Sequence, residues 1–595
     1  MEKRALLAIV LSVAVMATWT LLFGPATTPH PVQPVAPASG SGAPAPGGGS
    51  GAVHPETQPP VNDAAAAASP GAAGPPGTTA YTPIRASSKE EFRVITSTQD
   101  IRLSNEGGCA TWWRLTRYTI NGGVPVDLIP DLARTLGVLP LQVGIDGDQE
   151  ATRLLSKALY THEVSDIPAG DPSGVGPGKR VSFKFADGNG LAVSKVLEVP
   201  EQGYLGRITF EVTRNGKPVA ATLIWAAGLA QQAEDDTRGY GHIEGEAVVH
   251  DGRDIVRLPA IKTTTTVQFG GAAGAIRWAG IDSTYFANLV LPLEGQPALA
   301  VTIEPHPVPP AAAAATPKPE PLLSAGVRAD GGGAYRLFVG PKDYNLLKSM
   351  GQEVERVIDF SRFSLIYICT KGLFLALTWI NASVGNYGWS IILLTILVRL
   401  VFFPIMYKSS ITMRQTSKKM AKVQPRVKAI QDRYRKMKKS METQRQMNDE
   451  VMALYKKEGI NPMANLGGCL PLLLQMPVFI AFYNLLAVTI EMRHAPFGLW
   501  LQDLSRRDPY YITPLLMGGS WLAQQWMTSS SIPDPTQRRM MMFMPVMFTF
   551  FMMNMPSGLV IYWLTSNLLG MGQQYLTNRK ADQLEAEAQH RDQSG

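Results

Sequence analysis

The side chain best placed to do chemistry is Arg399, set inside the apolar run Ser390-Ile-Ile-Leu-Leu-Thr-Ile-Leu-Val-Arg-Leu-Val-Phe-Phe-Pro404. An arginine at the centre of a bilayer costs at least about 2.5–3.5 kcal/mol on insertion scales. Two accounts are open. Arg399 is eight residues from Tyr407, ~12 Å of helix, and can snorkel to the cytoplasmic surface. Alternatively it faces a water-filled cavity, with Thr395 one turn away on the same face. No carboxylate lies near it in sequence to pair with it. That favours a positive, hydrated groove that attracts an acidic or polar translocating segment. Gln475, Asn484, Gln524, Gln525, Thr565, Ser566 and Asn567 recur in the other apolar runs, and interhelical hydrogen bonds are their default role.

Covalent or metal chemistry is not indicated. His162, His242, His250 and His306 fall outside HExxH, nucleophile-elbow and paired-carboxylate spacings. Cys109, Cys369 and Cys469 match no CxxC or CxxH pattern, and read as small buried apolar residues. No Walker A lysine loop occurs. The chain is expected to be no enzyme and to use no cofactor or metal. Charged residues are 17% of the chain, below the ~25% of a soluble protein, which points to a membrane.

The elements that must position Arg399 follow from hydropathy. Ala5–Phe23, preceded by Lys3 and Arg4, reads as a signal sequence with a weak cleavage point at Ala26 or as an uncleaved N-terminal anchor; its length, beyond a signal-peptide core, favours the anchor, with its start in the cytoplasm. Residues 24–85 are a Pro/Ala/Gly tether without a core to bury. Residues 86–345 carry alternating and β-branched runs (Phe92-Arg-Val-Ile-Thr, Val181-Ser-Phe-Lys-Phe, Arg207-Ile-Thr-Phe-Glu-Val, Thr263-Thr-Thr-Thr-Val-Gln-Phe) punctuated by Asp187-Gly-Asn-Gly and Asn215-Gly. This is the pattern of an all-β sandwich, with Pro305–Pro321 as a loop; following an outward-going span, it is expected to be periplasmic. Phe363–Ile380, interrupted by Lys371, is suited equally to span or to lie along the membrane surface, and the interfacial placement, within a region 346–386, is preferred. Spans are expected at Tyr387–Tyr407, Leu466–Ile490, Tyr511–Thr528, Met541–Met555 and Gly558–Tyr575. The fold class is therefore an α-helical membrane bundle, five core helices (387–578) plus an anchor, carrying a large periplasmic β domain.

Between Lys408 and Ile460 stand fifteen Lys/Arg against five acids, so this arm belongs in the cytoplasm. Arg538-Arg539 and Arg579-Lys580 fall on the same side if both termini are cytoplasmic. Met420, Val423, Val427, Ile430, Tyr434, Met437 and Met441 repeat at 3,4 spacing, a coiled-coil seam. Met447, Val451 and Leu454 supply a return arm, giving a helical hairpin over 408–461, kinked near Pro425. Its charge suits anionic lipid headgroups or ribosomal RNA, or only sets topology.

Several longer stretches carry a family resemblance. They are Asn386-Tyr-Gly-Trp-Ser-Ile-Ile-Leu-Leu-Thr-Ile-Leu-Val-Arg, Ala453-Leu-Tyr-Lys-Lys-Glu-Gly-Ile-Asn-Pro, Gly468-Cys-Leu-Pro-Leu-Leu-Leu-Gln-Met-Pro-Val-Phe, Asp508-Pro-Tyr-Tyr-Ile, Phe543-Met-Pro-Val-Met-Phe and Pro556-Ser-Gly-Leu-Val-Ile-Tyr-Trp-Leu-Thr-Ser-Asn. In this order they resemble the YidC/Oxa/Alb membrane protein insertases over about residues 360–580. The anchor, tether and β domain are similar to the Gram-negative YidC form, the β domain more loosely, in Gly107-Gly108 and Tyr335-Arg-Leu-Phe-Val-Gly-Pro. The resemblance implies a hydrophilic groove open to the cytoplasm and to lipid. It places the groove arginine on Arg399 and the preceding threonine on Thr395, and contacts to the client helix at Gln475, Met476, Phe479, Phe551, Tyr562 and Trp563, an aromatic slide. Trp563 stands where Tyr is common. Implied partners are nascent membrane proteins, the Sec translocon, anionic lipids and, through the basic hairpin, the ribosome; DNA is not among them. The tail after Leu576 (579–595) is short and slightly acidic, which argues against ribosome docking through it. A small-solute transporter is the alternative, though neither inverted repeats nor midplane ion ligands are seen.

Overall fold

A computed structural model describes residues 81–120, 123–229, 245–270, 276–296, 299–309, 321–437, 440–459, 470–529 and 535–594. The expected anchor at 1–23, nearly all of the tether, His242, Cys469 and most of the 305–321 loop lie outside the described residues.

Residue pairs of alternating polarity between Glu91 and Pro341 form antiparallel strands in three sheets of four, ten and five strands. In the large sheet, Leu205–Arg214 pairs on one side with Leu191–Pro200 and on the other with Gly332–Pro341, which contains the Tyr335–Pro341 motif. The Asn215-Gly216 signal makes a tight turn with φ of 54° and 74°, left-handed values that Asn and Gly tolerate best. The small sheet packs its strand Ala220–Ala227 against the large one. Gly280 permits that contact: a Cβ there would stand 2.5 Å from the Trp225 ring and 1.9 Å from the Asn288 carbonyl. The Thr263–Phe269 run is strand only over Val267–Phe269. Its first threonine is diverted, because Thr263 Oγ1 donates to the Pro259 carbonyl, 2.9 Å, and closes a 3₁₀ turn. Local side-chain bonding of this kind competes with strand pairing.

Lys195 is enclosed in this domain with no acid paired to it among the described residues. Lys195 Nζ donates to the carbonyls of Gly107 (2.8 Å), Gly108 (2.6 Å) and Leu141 (2.9 Å), and sits 4.5 Å from the Tyr160 ring centre. Three acceptors match the three donors of an ammonium, while burial pushes its pKa down to about 7. The Gly107-Gly108 pair has φ of 71° and 53°, and a Cβ on Gly108 would stand 2.8 Å from the amine itself.

Ten α-helices are described: α1 Asp131–Leu136, α2 Gln149–Lys157, α3 Tyr344–Ser349, α4 Ser364–Val384, α5 Tyr387–Arg435, α6 Met441–Lys457, α7 Leu470–Val488, α8 Ile512–Ser529, α9 Pro535–Met552 and α10 Ser557–Ser594. By length and composition Ser364–Val384 and Tyr387–Thr412 are long and apolar enough to cross a membrane. Helix α9 starts at Pro535, so it is longer than the expected fifteen residues and takes in Arg538 and Arg539. Pro425 lies inside α5, which continues through it as one helix to Arg435. Helix α6 returns antiparallel to α5, with Arg426 paired to Glu458 (2.6 Å) and Arg433 to Glu450. The seam between them is short: Val423 and Val427 are buried against Met420, Val451, Leu454 and Tyr455, whereas Met437 and Met441 are exposed.

The β domain is joined to the helices through the segment after α7. Arg493 Nη2 donates to the Thr119 carbonyl, 2.8 Å, with its guanidinium 5.8 Å from the rings of Tyr285 and Phe286. Asn484 Nδ2 donates to the Phe360 carbonyl, 3.0 Å. Tyr344 and Phe360 pack with Tyr367 and Phe374 of α4 as one aromatic cluster, and Lys371 rests its ammonium 5.7 Å from the Tyr367 ring. At the same joint Glu491 Oε2 is buried without a hydrogen bond. Burial first, and Asp343 beside it, push its carboxyl from 4.5 up to about 7.

Two outcomes follow for stability. Lys195→Met leaves three carbonyls without a donor, and should lower the unfolding free energy of the β domain by about 3 kcal/mol, read from urea melts of the purified chain in detergent. The folded Glu491 carboxyl binds its proton more tightly than the unfolded one, so its contribution is complete below about pH 4.5 and is lost as pH rises through about 7. Limited proteolysis at the 489–495 joint should therefore quicken between pH 5 and 8, in the wild type and not in Glu491→Gln.

Candidate functional site

The bundle is assembled from both ends. Asn386 starts α5: its Oδ1 accepts from Trp389 N, 3.2 Å, and its Nδ2 donates to the carbonyls of Pro496 and Phe497. Gly388 must be glycine, since a Cβ there would stand 2.0 Å from the Phe497 ring, and Trp389 meets that ring edge-on at 5.6 Å. Asp508 starts α8, its Oδ2 accepting from Thr513 N (2.7 Å) and Thr513 Oγ1 (2.8 Å). The Pro556-Ser-Gly turn fixes α10: Ser557 N donates to the Arg506 carbonyl (2.6 Å), Ser557 Oγ to the Asp503 carbonyl (3.1 Å), and Gly558 N to the Leu504 carbonyl (3.0 Å). Helix α10 then packs against both α5 and α8, and α8 against α9.

Arg399 points into the α5–α10 contact. Its Nε donates to Ser566 Oγ, 2.9 Å, and its Nη2 to Ser566 Oγ, 2.6 Å, and to the Ser566 carbonyl, 2.8 Å. Among the described residues no acid forms an ion pair with it. Ser566 is 3% exposed. Gly570, one turn on, leaves room for the side chains above it: a Cβ would stand 2.6 Å from Gln524 Nε2 and 3.5 Å from Arg399 Nη2. On the neighbouring face of α10, Asn567 Nδ2 reaches Ser520 Oγ, 3.2 Å, and the Met517 carbonyl, 3.4 Å. Arg399 is thus the charged member of a polar layer shared by α5, α8 and α10.

The other sequence-nominated residues fall into three settings. Thr395 is buried, its hydroxyl donating to the Ile391 carbonyl of its own helix, 2.7 Å. Gln475 donates to the Tyr562 hydroxyl, and Tyr562 is buried and stacked on Phe482 with ring centres 4.6 Å apart. Trp563 is also buried, 6% exposed. It meets Phe479 edge-on at 5.1 Å, Phe548 at 4.9 Å and Trp521 at 5.7 Å. Tyr562 and Trp563 are therefore packed within the bundle, on two faces of α10 that neighbouring side chains occupy. Met476 and Phe479 are half-buried, and Phe551 is exposed. The exposed apolar stripe runs instead along α9, over Met540, Phe543, Met544, Met547 and Phe551, at helical 3,4 spacing. Sequence reading assigned Ser566 only a default hydrogen-bonding role and missed Gly570, Trp521 and Phe548. The available signal was the i, i+4 pairing of Ser566 with Gly570 on one face of α10.

The described histidines of the β domain, His162, His250 and His306, are held in structural contacts. His162 stacks on Phe92 at 4.0 Å, His250 lies buried beside Trp278 and 3.3 Å from Glu353, and His306 reaches Ser324 Oγ at 2.8 Å. Among the described residues no cluster of His, Cys, Asp or Glu is arranged to hold a metal.

Residues 379–584 match the family model described as 60Kd inner membrane protein, and residues 91–376 the model described as YidC periplasmic domain. A membrane protein insertase YidC of Syntrophus aciditrophicus (strain SB) is 33% identical over 600 residues, covering 98% of this chain and 100% of its own. That of Geobacter metallireducens (strain ATCC 53774 / DSM 7210 / GS-15) is 31% identical over 607 residues, covering 98% and 100%. A solved structure, an active YidC insertase with the first transmembrane domain resolved, is 18% identical, covers 84% of this chain and 95% of its own, and superposes with a TM-score of 0.35. With relatives alignable along nearly its whole length, the chain belongs to the YidC family of membrane protein insertases, inner-membrane proteins with a periplasmic β domain.

Proposed function

We propose that this protein inserts nascent membrane proteins into the inner membrane without enzymatic chemistry, using Arg399 as the cation of a client-binding groove. One observation carries the reading: a guanidinium is held between α5 and α10 by a neutral serine, with no acid among the described residues to quench it. A hydrophilic flank of the client exchanges part of its water for this polar layer, which lowers the cost of carrying polar groups part-way across. The client's apolar helix then leaves along the exposed Met and Phe stripe of α9. Methionine suits clients of varied shape because its side chain repacks readily. Phe551 and the half-buried Met476 and Phe479 are the contacts beside that path. The transporter alternative is not supported, since the relatives spanning the chain are named insertases.

Exposed leucine, isoleucine and tryptophan side chains cover α4 and α5, among them Ile368, Trp379, Trp389 and Leu400, a surface suited to lipid. The placement of α4 follows from charge. Only Gly385 and Asn386 separate α4 from α5. Were both to cross, the basic arm 408–460 would emerge on the side of the β domain, against the positive-inside rule. Helix α4 therefore lies along the periplasmic interface and α5 crosses once, with both termini of the chain in the cytoplasm. The α5–α6 arm then reaches the cytoplasm with its excess of Lys and Arg, facing anionic lipids or ribosomal RNA; the Sec translocon remains a partner by family resemblance.

The test is site-specific photo-crosslinking to a stalled single-span client, with the probe at Phe479, Met547 or Phe551. Adducts at these positions are expected, and adducts confined to the β domain would sink the groove mechanism. Arg399→Ala should lower insertion about tenfold, the effect of losing a charge-assisted contact. Arg399→Lys keeps the charge but not the paired Nε and Nη2 contacts, and should recover only part of that loss.

A further inference from the structure

Arginine presents five N–H donors in a fixed fork, and a buried one is usually met by a carboxylate. Here the fork meets one serine. Oγ and the carbonyl of Ser566 accept from Nε and Nη2, and among the described residues no hydrogen bond reaches Nη1. The arrangement depends on small side chains, because Ser566 is almost fully buried and Gly570 admits Gln524 and the guanidinium side by side. A carboxylate in place of the Ser566 hydroxyl would satisfy the same two nitrogens more strongly, but it would also cancel the charge. A neutral acceptor fixes the geometry and leaves the positive field undiminished in a medium of low dielectric.

We infer that Ser566 is the positioning residue for Arg399, a neutral acceptor that fixes its guanidinium edge while keeping the charge, and Nη1, for an anionic group of the client. This rests on the reading of Arg399 as the client-binding cation, and the test separates the two. The full-length protein is reconstituted in liposomes with two single-span clients that differ only in an acidic or a neutral translocated flank. Arg399→Ala, Ser566→Ala, Ser566→Thr and Ser566→Asp are compared for insertion rate and for thermal unfolding.

Ser566→Asp is the decisive variant. A purely structural role predicts that an ion pair between Arg399 and the introduced carboxylate leaves insertion intact. The inference predicts a melting temperature unchanged or raised, together with a loss of about tenfold for the acidic-flank client, close to Arg399→Ala, and a smaller loss for the neutral-flank client. Ser566→Thr, which keeps the hydroxyl, should insert both clients at the wild-type rate, and Ser566→Ala should fall between. If Arg399→Ala fails while Ser566→Asp inserts the acidic-flank client normally, the inference is overturned and the groove reading stands. If Ser566→Thr is as damaged as Ser566→Ala, the hydroxyl is not what matters and the inference is again overturned. If Arg399→Ala inserts both clients normally, the groove reading itself falls and this inference with it.

Discussion

The bundle is organised around a guanidinium inside an apolar helix pair that has no counter-charge among the described residues. Leaving such a group unbonded would cost several kcal/mol, so α5 and α10 must approach closely enough for one serine to reach it. Close approach needs small residues at the crossing, and Ser566 with Gly570 supplies them. It also needs both helices fixed in register at their ends. Asn386 does this for α5 through the carbonyls of Pro496 and Phe497. The Pro556-Ser-Gly turn does it for α10 through the 503–506 loop. Two of the longest motifs, those beginning at Asn386 and Pro556, therefore fix the ends of the helices that make this polar contact.

The same constraint sets the two working faces of α10. Tyr562, Ser566 and Gly570 repeat every fourth residue and turn toward α7 and α5, where they meet Gln475, Phe482 and Arg399. Trp563 and Asn567 form the adjoining row and turn toward α8, meeting Trp521, Met517 and Ser520. Polar contacts occupy the later turns of each row and aromatic contacts the earlier ones. The aromatic group of Phe479, Trp521, Phe548 and Trp563 joins α7, α8, α9 and α10, which gives the polar layer a rigid neighbour.

Some of this was legible in the sequence and some was not, for physical reasons. Arg399 stood out because a charge within an apolar run has few benign explanations. The strand-rich domain was legible because period-two alternation survives context. Ser566 was visible only as a polar residue, since serine satisfies itself in many ways within a helix, and nothing local reveals which partner it faces. Gly570 signalled only through its place four residues after Ser566 on one face of α10, because its role is to leave room for a contact made by others. The burial of Trp563 and Tyr562 was not legible, since an aromatic residue in a membrane helix suits core and lipid equally and only the packing of four helices shows which side it takes. The run at Thr263 failed as a strand for a local reason, a hydroxyl bonded to a carbonyl four residues back.

The placement of the β domain bears on what it does. Its contacts with the helices cluster after the C-terminal end of α7 and near the start of α5, through Arg493, Glu491 and the aromatic cluster that includes Tyr367 and Phe374 of α4. Arg399 lies twelve residues into α5 from Tyr387, about 18 Å along the helix axis. A domain joined at that rim stands apart from the guanidinium and meets instead the 489–497 segment that anchors the start of α5. The joint combines an arginine spread over two rings and a strand carbonyl, a buried carboxyl beside it, and helix α4 tied to the same cluster. The joint also reaches the first turn of the helix that carries Arg399, because Asn386 donates to the carbonyls of Pro496 and Phe497 just after Arg493.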